Sequence, residues 1–123
     1  MQYQILVYQK KVENQANSLA TLQQWREACR ANNESLAERG YLITKIDLGP
    51  QREGLRIELR NDELILENND ARYEQEELIR VMQIEAYDLN HALQIATAMP
   101  ELRFSRLELR SSAENDALSL QEL

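Results

Sequence analysis

Leu78-Ile79-Arg80-Val81-Met82-Gln83-Ile84-Glu85-Ala86-Tyr87, then Asp88-Leu89-Asn90-His91-Ala92-Leu93-Gln94-Ile95-Ala96-Thr97-Ala98-Met99, then Pro100, then Arg103-Phe104-Ser105-Arg106-Leu107-Glu108-Leu109-Arg110 is the run that decides the fold. Residues 78–86 are apolar on both parities, with Leu78, Met82 and Ile84 on one and Ile79 and Val81 on the other. That is the pattern of a central strand covered on both faces. Asp88 stands where a side-chain oxygen caps a helix, whose buried stripe is expected to be Leu89, Ala92, Leu93, Ala96 and Met99. Pro100 has no N–H and bars the helix from continuing. Residues 104–110 alternate again and make a last strand.

The first half of the chain runs the same way. In residues 2–8, Tyr3, Ile5 and Val7 share one face and Gln2, Gln4, Leu6 and Tyr8 the other, which is a strand. Ser18 caps a long helix with an inward stripe of Leu19, Leu22, Trp25, Cys29, Asn32 and Leu36. Gly40 is its left-handed stop. Residues 41–48 form a second strand, ended by Gly49-Pro50. Between the halves, Leu55, Ile57 and Leu59 alternate with Arg56, Glu58 and Arg60. After the turn Asn61-Asp62, Leu64 and Leu66 alternate with Glu63 and Glu67, completing a β-hairpin with a charged outer face.

The order strand–helix–strand, hairpin, strand–helix–strand predicts one α+β domain over residues 1–110. Its expected form is a ferredoxin-like split βαβ with an extra β-hairpin. Right-handed crossovers put both helices on one face of the sheet. The other face carries Leu6, Tyr8 and one side of the central strand, so a second copy packed there, giving a dimeric α+β barrel, is the expected partner. Residues 111–123 read as a frayed, acidic C-terminal tail that adds little to the core.

Composition narrows the chemistry. The 123 residues hold 21 Asp and Glu against 14 Lys and Arg. Three of the acids (Glu114, Asp116, Glu122) lie in the tail, leaving 18 against 14 in the body. A net-acidic body has no electrostatic reason to bind nucleic acid. One Cys and one His do not build a soft-ligand metal cage, and no cofactor motif is present: Gly40, Gly49 and Gly54 are isolated, so no phosphate-cradling loop exists. A lone thiol and the absence of a leader or membrane-spanning run lead us to expect a cytoplasmic protein.

The order of motifs resembles the YCII-related family, specifically its DGPF branch. The opening Met1-Gln2-Tyr3-Gln4-Ile5-Leu6-Val7-Tyr8 is similar to that branch's first strand. Val81-Met82-Gln83-Ile84-Glu85-Ala86, Asp88-Leu89-Asn90-His91-Ala92-Leu93, Met99-Pro100 and Leu107-Glu108-Leu109-Arg110 follow in family order, over roughly residues 1–110. The resemblance implies a homodimeric α+β barrel and a pocket near the family's D-G-P-F tetrad. Here that region reads Asn68-Asn69-Asp70-Ala71-Arg72-Tyr73-Glu74-Gln75-Glu76. Counting back from Glu85 sets the family Asp on Asn68 and a family Glu on Glu76. Matching by identity sets the Asp and Phe on Asp70 and Tyr73 instead. The Gly and Pro of the tetrad are absent. The wider family's suspected His-Asp pair has no counterpart, since His91, the one histidine, lies on a helix.

Asp70, Arg72, Tyr73 and Glu76 are the densest polar set and the candidate ligand-binding residues. A carboxylate, guanidinium and phenol close together suit a small polar ligand. No residue is assigned as catalytic. His91 is expected to be a solvent-facing first-turn residue, Trp25 and the strand tyrosines core packing, and Cys29 a small buried hydrophobe. The leading functional expectation is a small-molecule-binding or accessory module. The alternative is a cofactor-free isomerase, lyase or monooxygenase using a pocket near residues 68–76, on fold analogy.

Overall fold

The computed structural model describes residues 1–10, 18–69 and 75–112. Its elements are β1 (Gln2–Lys10), α1 (Leu19–Glu38), β2 (Leu42–Asp47), β3 (Leu55–Arg60), β4 (Glu63–Asn68), β5 (Glu76–Glu85), α2 (Leu89–Thr97) and β6 (Ser105–Ser111), with 3₁₀ turns at Gln51–Glu53 and Pro100–Arg103. The chain is an α+β protein. Strands β2, β5, β1 and β6 lie side by side in that order, and every neighbouring pair is antiparallel. Strands β3 and β4 form a separate two-stranded sheet.

Local chemistry sets the ends of the helices. Ser18 Oγ accepts from the Thr21 N–H at 3.1 Å, and Asp88 Oδ1 accepts from the His91 N–H at 2.8 Å, so both caps stand where the sequence puts them. At the end of α1, Gly40 adopts φ +82°, which frees its N–H for Ala37 O and the Tyr41 N–H for Leu36 O. These two bonds close a Schellman motif that only a residue tolerant of positive φ enters cheaply. Asn61 and Asp62 both have positive φ, making the two-residue turn whose twist suits a hairpin.

The core has one side. Tyr3, Ile5 and Val7 from β1 and Met82 and Ile84 from β5 pack with Leu36 of α1 and with Ala92, Ile95, Ala96 and Met99 of the α2 segment. Cross-strand partners such as Ile5 and Met82 share a face, so both helices cover the same side of the sheet. The α2 stripe is rotated from the expected one: Ile95 is buried, whereas Leu89 and Leu93 are exposed. In α1 the buried residues are Cys29, Asn33 and Leu36, so Asn33 replaces Asn32 at that position of the stripe, and Leu19 is exposed.

A register shift at Val7/Tyr8 changes the reading of β5. Val7 pairs with Arg80 and Tyr8 with Leu78, so Ile79 is the extra residue of a bulge. Beyond it the alternation resets. Leu78 joins Tyr8 on the open face rather than Met82 and Ile84, and Ile79 packs toward the core. The open face then has a row of Ile46, Val81, Leu6 and Glu108, flanked by Thr44, Gln83, Gln4 and Arg110 on one side and by Leu78, Tyr8 and Arg106 on the other. It is apolar at its centre, polar along one flank and charged along β6.

Strand β6 extends past residue 110. Ser111 pairs with Tyr3, and the Ser112 N–H donates to Gln2 O at 3.0 Å. The rest of the expected tail, residues 113–123, lies outside the described residues. Among those described, no helix is long and apolar enough to cross a membrane.

Candidate functional site

Between α1 and the helix-side surface of β2 and β5 lies a cavity of about 830 Å³. Three features of the sequence open it. The apolar stripe of α1 fills the core only from Cys29 onward, so Trp25 and Leu22, one and two turns earlier, form a wall instead. Phe104 leaves the line of β6 and stacks on Trp25, with ring centroids 5.3 Å apart and planes at 18°. The β5 bulge turns Ile79 and Arg80 toward the same space.

The polar lining is mainly cationic. Lys10, Arg26, Arg30, Lys45, Arg80 and Arg103 face the cavity against two carboxylates, Glu34 and Asp47. In a chain of formal charge −7 this is a local reversal of sign. Arg30 is held by Glu27 and Glu34, and Lys45 by Asp47 at 3.1 Å. Arg26 and Arg103 have no ion pair among the described residues.

Arg80 is the fixed point of the site. Its Nε donates to Asp47 Oδ1 and its Nη1 donates to Glu101 Oε2 at 2.8 Å. Glu101 is wholly buried. The turn that begins at Pro100 carries it under α1, and its ionic partner among the described residues is Arg80. Burial alone would raise the Asp47 carboxyl, but the hydrogen bonds from Arg80 and Lys45 outweigh it and hold the group below its ordinary value. Three buried atoms near this network have no hydrogen-bond partner among the described residues: Asn32 Nδ2, Asn33 Oδ1 and Glu101 Oε1. Asn33 lines the cavity, so its oxygen is an acceptor ready for a donor on a ligand.

Cys29 is at the inner wall. Burial first, and the negative charge of Glu101 second, push its thiol up to about 11. Such a thiol is inert at neutral pH. We expect alkylation by iodoacetamide at pH 8 to be about a hundredfold slower in the folded than in the urea-unfolded protein, because two pH units separate their thiolate fractions. The same shift has a stability consequence. The folded state holds the proton more tightly, so this contribution is complete below about pH 9 and is lost as pH rises toward 11. Equal alkylation rates at pH 8 would contradict the burial.

Of the four residues proposed from sequence, Glu76 is described, and it does not line this cavity. Asp70, Arg72 and Tyr73 are outside the described residues. Glu76 begins β5, and both its carboxylate oxygens accept from Arg106 Nε at 3.0 Å. It lines a second cavity, of about 640 Å³, with Tyr8, Leu48, Asn69 and Leu78. His91 is half-buried rather than solvent-facing. Its Nδ1 accepts from the Tyr87 N–H at 3.0 Å, and its ring stacks on Tyr87 and meets Tyr41 edge-on. It is a structural part of the α2 entry. Arg80 and Glu101 were missed as a pair. The available signal was a lone Arg among Leu, Ile, Val and Met in a central strand, a position that demands a buried counter-charge.

Among the described residues no cluster of His, Cys, Asp and Glu is arranged to hold a metal ion. Comparison with protein-family models and with curated proteins gives no match.

Proposed function

We propose that this chain is a small-molecule-binding module of the YCII-related, dimeric α+β-barrel kind. Its ligand is a small anion with a flat apolar body, held in the cavity beneath α1. The observation that carries the reading is the cavity lining: six cations converge on a pocket whose walls are Trp25, Phe104, Leu22 and Ile79. Cations in a partly desolvated cleft attract an anion, the rings and aliphatic groups suit its body, and Asn33 Oδ1 suits a hydroxyl or amide donor on it.

The family reading is supported by the strand order β2-β5-β1-β6 with α1 after β1 and α2 after β5, which is the order of a ferredoxin-like split βαβ with the β3–β4 hairpin inserted between its halves. A homodimer across the helix-free face fits the distribution of side chains there, with Leu6, Val81, Ile46, Leu78 and Tyr8 as an apolar middle and Gln4, Gln83, Arg106, Glu108 and Arg110 at its margins, since interfaces pair an apolar middle with a polar rim. A reducing, cytoplasmic setting fits the single buried thiol. The alternative, a cofactor-free enzyme using the region of residues 68–76, draws on the second cavity and Glu76. That carboxylate is already engaged by Arg106, which makes it a poor general base.

The chain has one tryptophan, and it is in the cavity wall. Titration with 4-hydroxybenzoate should therefore change Trp25 fluorescence, with the neutral analogue benzyl alcohol producing far less. Arg26→Gln with Arg103→Gln should weaken binding at least tenfold, and added salt should weaken it in the wild type. An equal response to the neutral analogue, or none to any aromatic or aliphatic carboxylate, would remove the reading.

A further inference from the structure

The β3–β4 hairpin turns a face to solvent that is aliphatic except for Asn68 at its base. Register pairs Ile57 with Leu66 and Leu59 with Leu64, and Leu55 lies on the same face. These five side chains are each 60–67% exposed, whereas Ile5 and Ile84 of the main sheet are buried. The hairpin is its own two-stranded sheet, and the Asn69 N–H donating to Gly54 O continues its ladder one rung past Leu55 and Asn68. A two-stranded ribbon by itself is marginally stable in water, so this one needs a cover.

We propose that the cover is a second copy of this chain, with the aliphatic faces of two hairpins packed against one another. Three observations favour that occupant. The face is self-complementary: it presents Leu and Ile throughout, apart from Asn68 at its base, so a twofold-related copy buries no charge. The area is sufficient, because five such side chains leave on the order of 500 Å² exposed per chain, and two faces together reach the roughly 1,000 Å² that a specific interface requires. The other candidate surface on a second copy, the helix-free sheet face, carries Arg106, Glu108 and Arg110, which an aliphatic ribbon would strip of water without compensation. A lipid surface is disfavoured, since the reverse face of the hairpin carries Glu58, Glu63 and Glu67 against Arg56 and Arg60 and offers no excess of positive charge.

This contact is separate from the sheet-face pairing proposed above, and one experiment tells them apart. The full chain is sedimented at micromolar concentration alongside Ile57→Lys/Leu66→Lys and, separately, Leu6→Lys. The hairpin double variant is expected to have half the wild-type mass, with hydrogen exchange in β1 and β5 unchanged. If only Leu6→Lys halves the mass, the sheet face pairs and the hairpin inference is overturned. If only the hairpin variant does, the hairpin pairs and the sheet face does not. A wild-type monomer of 14.4 kDa overturns both. Should the double variant fail to fold, the wild type still decides: backbone amides of β3 and β4 must gain protection as concentration rises, and protection independent of concentration overturns the inference.

Discussion

Arg80→Ala is expected to cost about 3–5 kcal/mol of stability, because it leaves the buried Glu101 carboxylate without its counter-charge. The loss should appear in urea as a lower midpoint at an unchanged slope. The double variant Arg80→Met/Glu101→Leu should recover most of it, since two apolar groups carry no unpaired charge into the interior. A single variant within about 1 kcal/mol of wild type would show that water reaches Glu101. Arg80 also holds Asp47, whose carboxyl lies below its ordinary value of 3.8. A depressed carboxylate stabilises the fold above its unfolded value, and that contribution disappears as pH falls through its folded value, below about pH 4. The acid limb of the wild-type stability profile should therefore be steeper than that of Arg80→Ala.

Ile5→Ala is expected to be as damaging, at about 2–5 kcal/mol, for a different reason. Ile5 and its cross-strand partner Met82 are both wholly buried, at the middle of β1 and β5, beneath the helices. Truncation there leaves a void that close-packed neighbours fill only in part. Ile5→Val should cost no more than about 1.5 kcal/mol. Leu19→Ala, at a residue 71% exposed on the same domain, should stay within about 0.5 kcal/mol. Thermal or urea unfolding of the three variants side by side checks the ordering. A small loss for Ile5→Ala would mean that the helices do not close over β1.

The pairing of Arg80 and Glu101 links the fold to the proposed pocket. The same guanidinium that neutralises the interior carboxylate lines the cavity, and its position is fixed from behind by Glu101 and from the side by Asp47. A cation held in this way loses little freedom on meeting an anion, which is the advantage of a preorganised site. Lys10, Arg26 and Arg103, without ion pairs among the described residues, are the groups whose charge remains available to a ligand.

The sequence by itself determined what is decided within a few residues. The caps at Ser18 and Asp88, the stop at Gly40, the Asn61-Asp62 turn and the alternation of Tyr3, Ile5 and Val7 each depend on local hydrogen bonds or on the two-residue repeat of a strand, and each stands in the structure. The tertiary structure decided the rest. The bulge at Ile79 reverses the facing of Leu78, and a single extra residue has no mark in a strand that is apolar on both parities. Arg80 meets Asp47 33 residues away and Glu101 21 residues away, contacts that exist only once β2 and the Pro100 turn are folded around β5. The cavity arises because α1 closes on the core only from Cys29 onward, so Leu22 and Trp25 continue its apolar stripe beyond the packed part. The alternation of β3 and β4 forecasts a hairpin equally well whether its aliphatic side is covered or bare. Within an unbroken strand periodicity sets which side chains share a face, and only the packing of distant segments sets what that face meets.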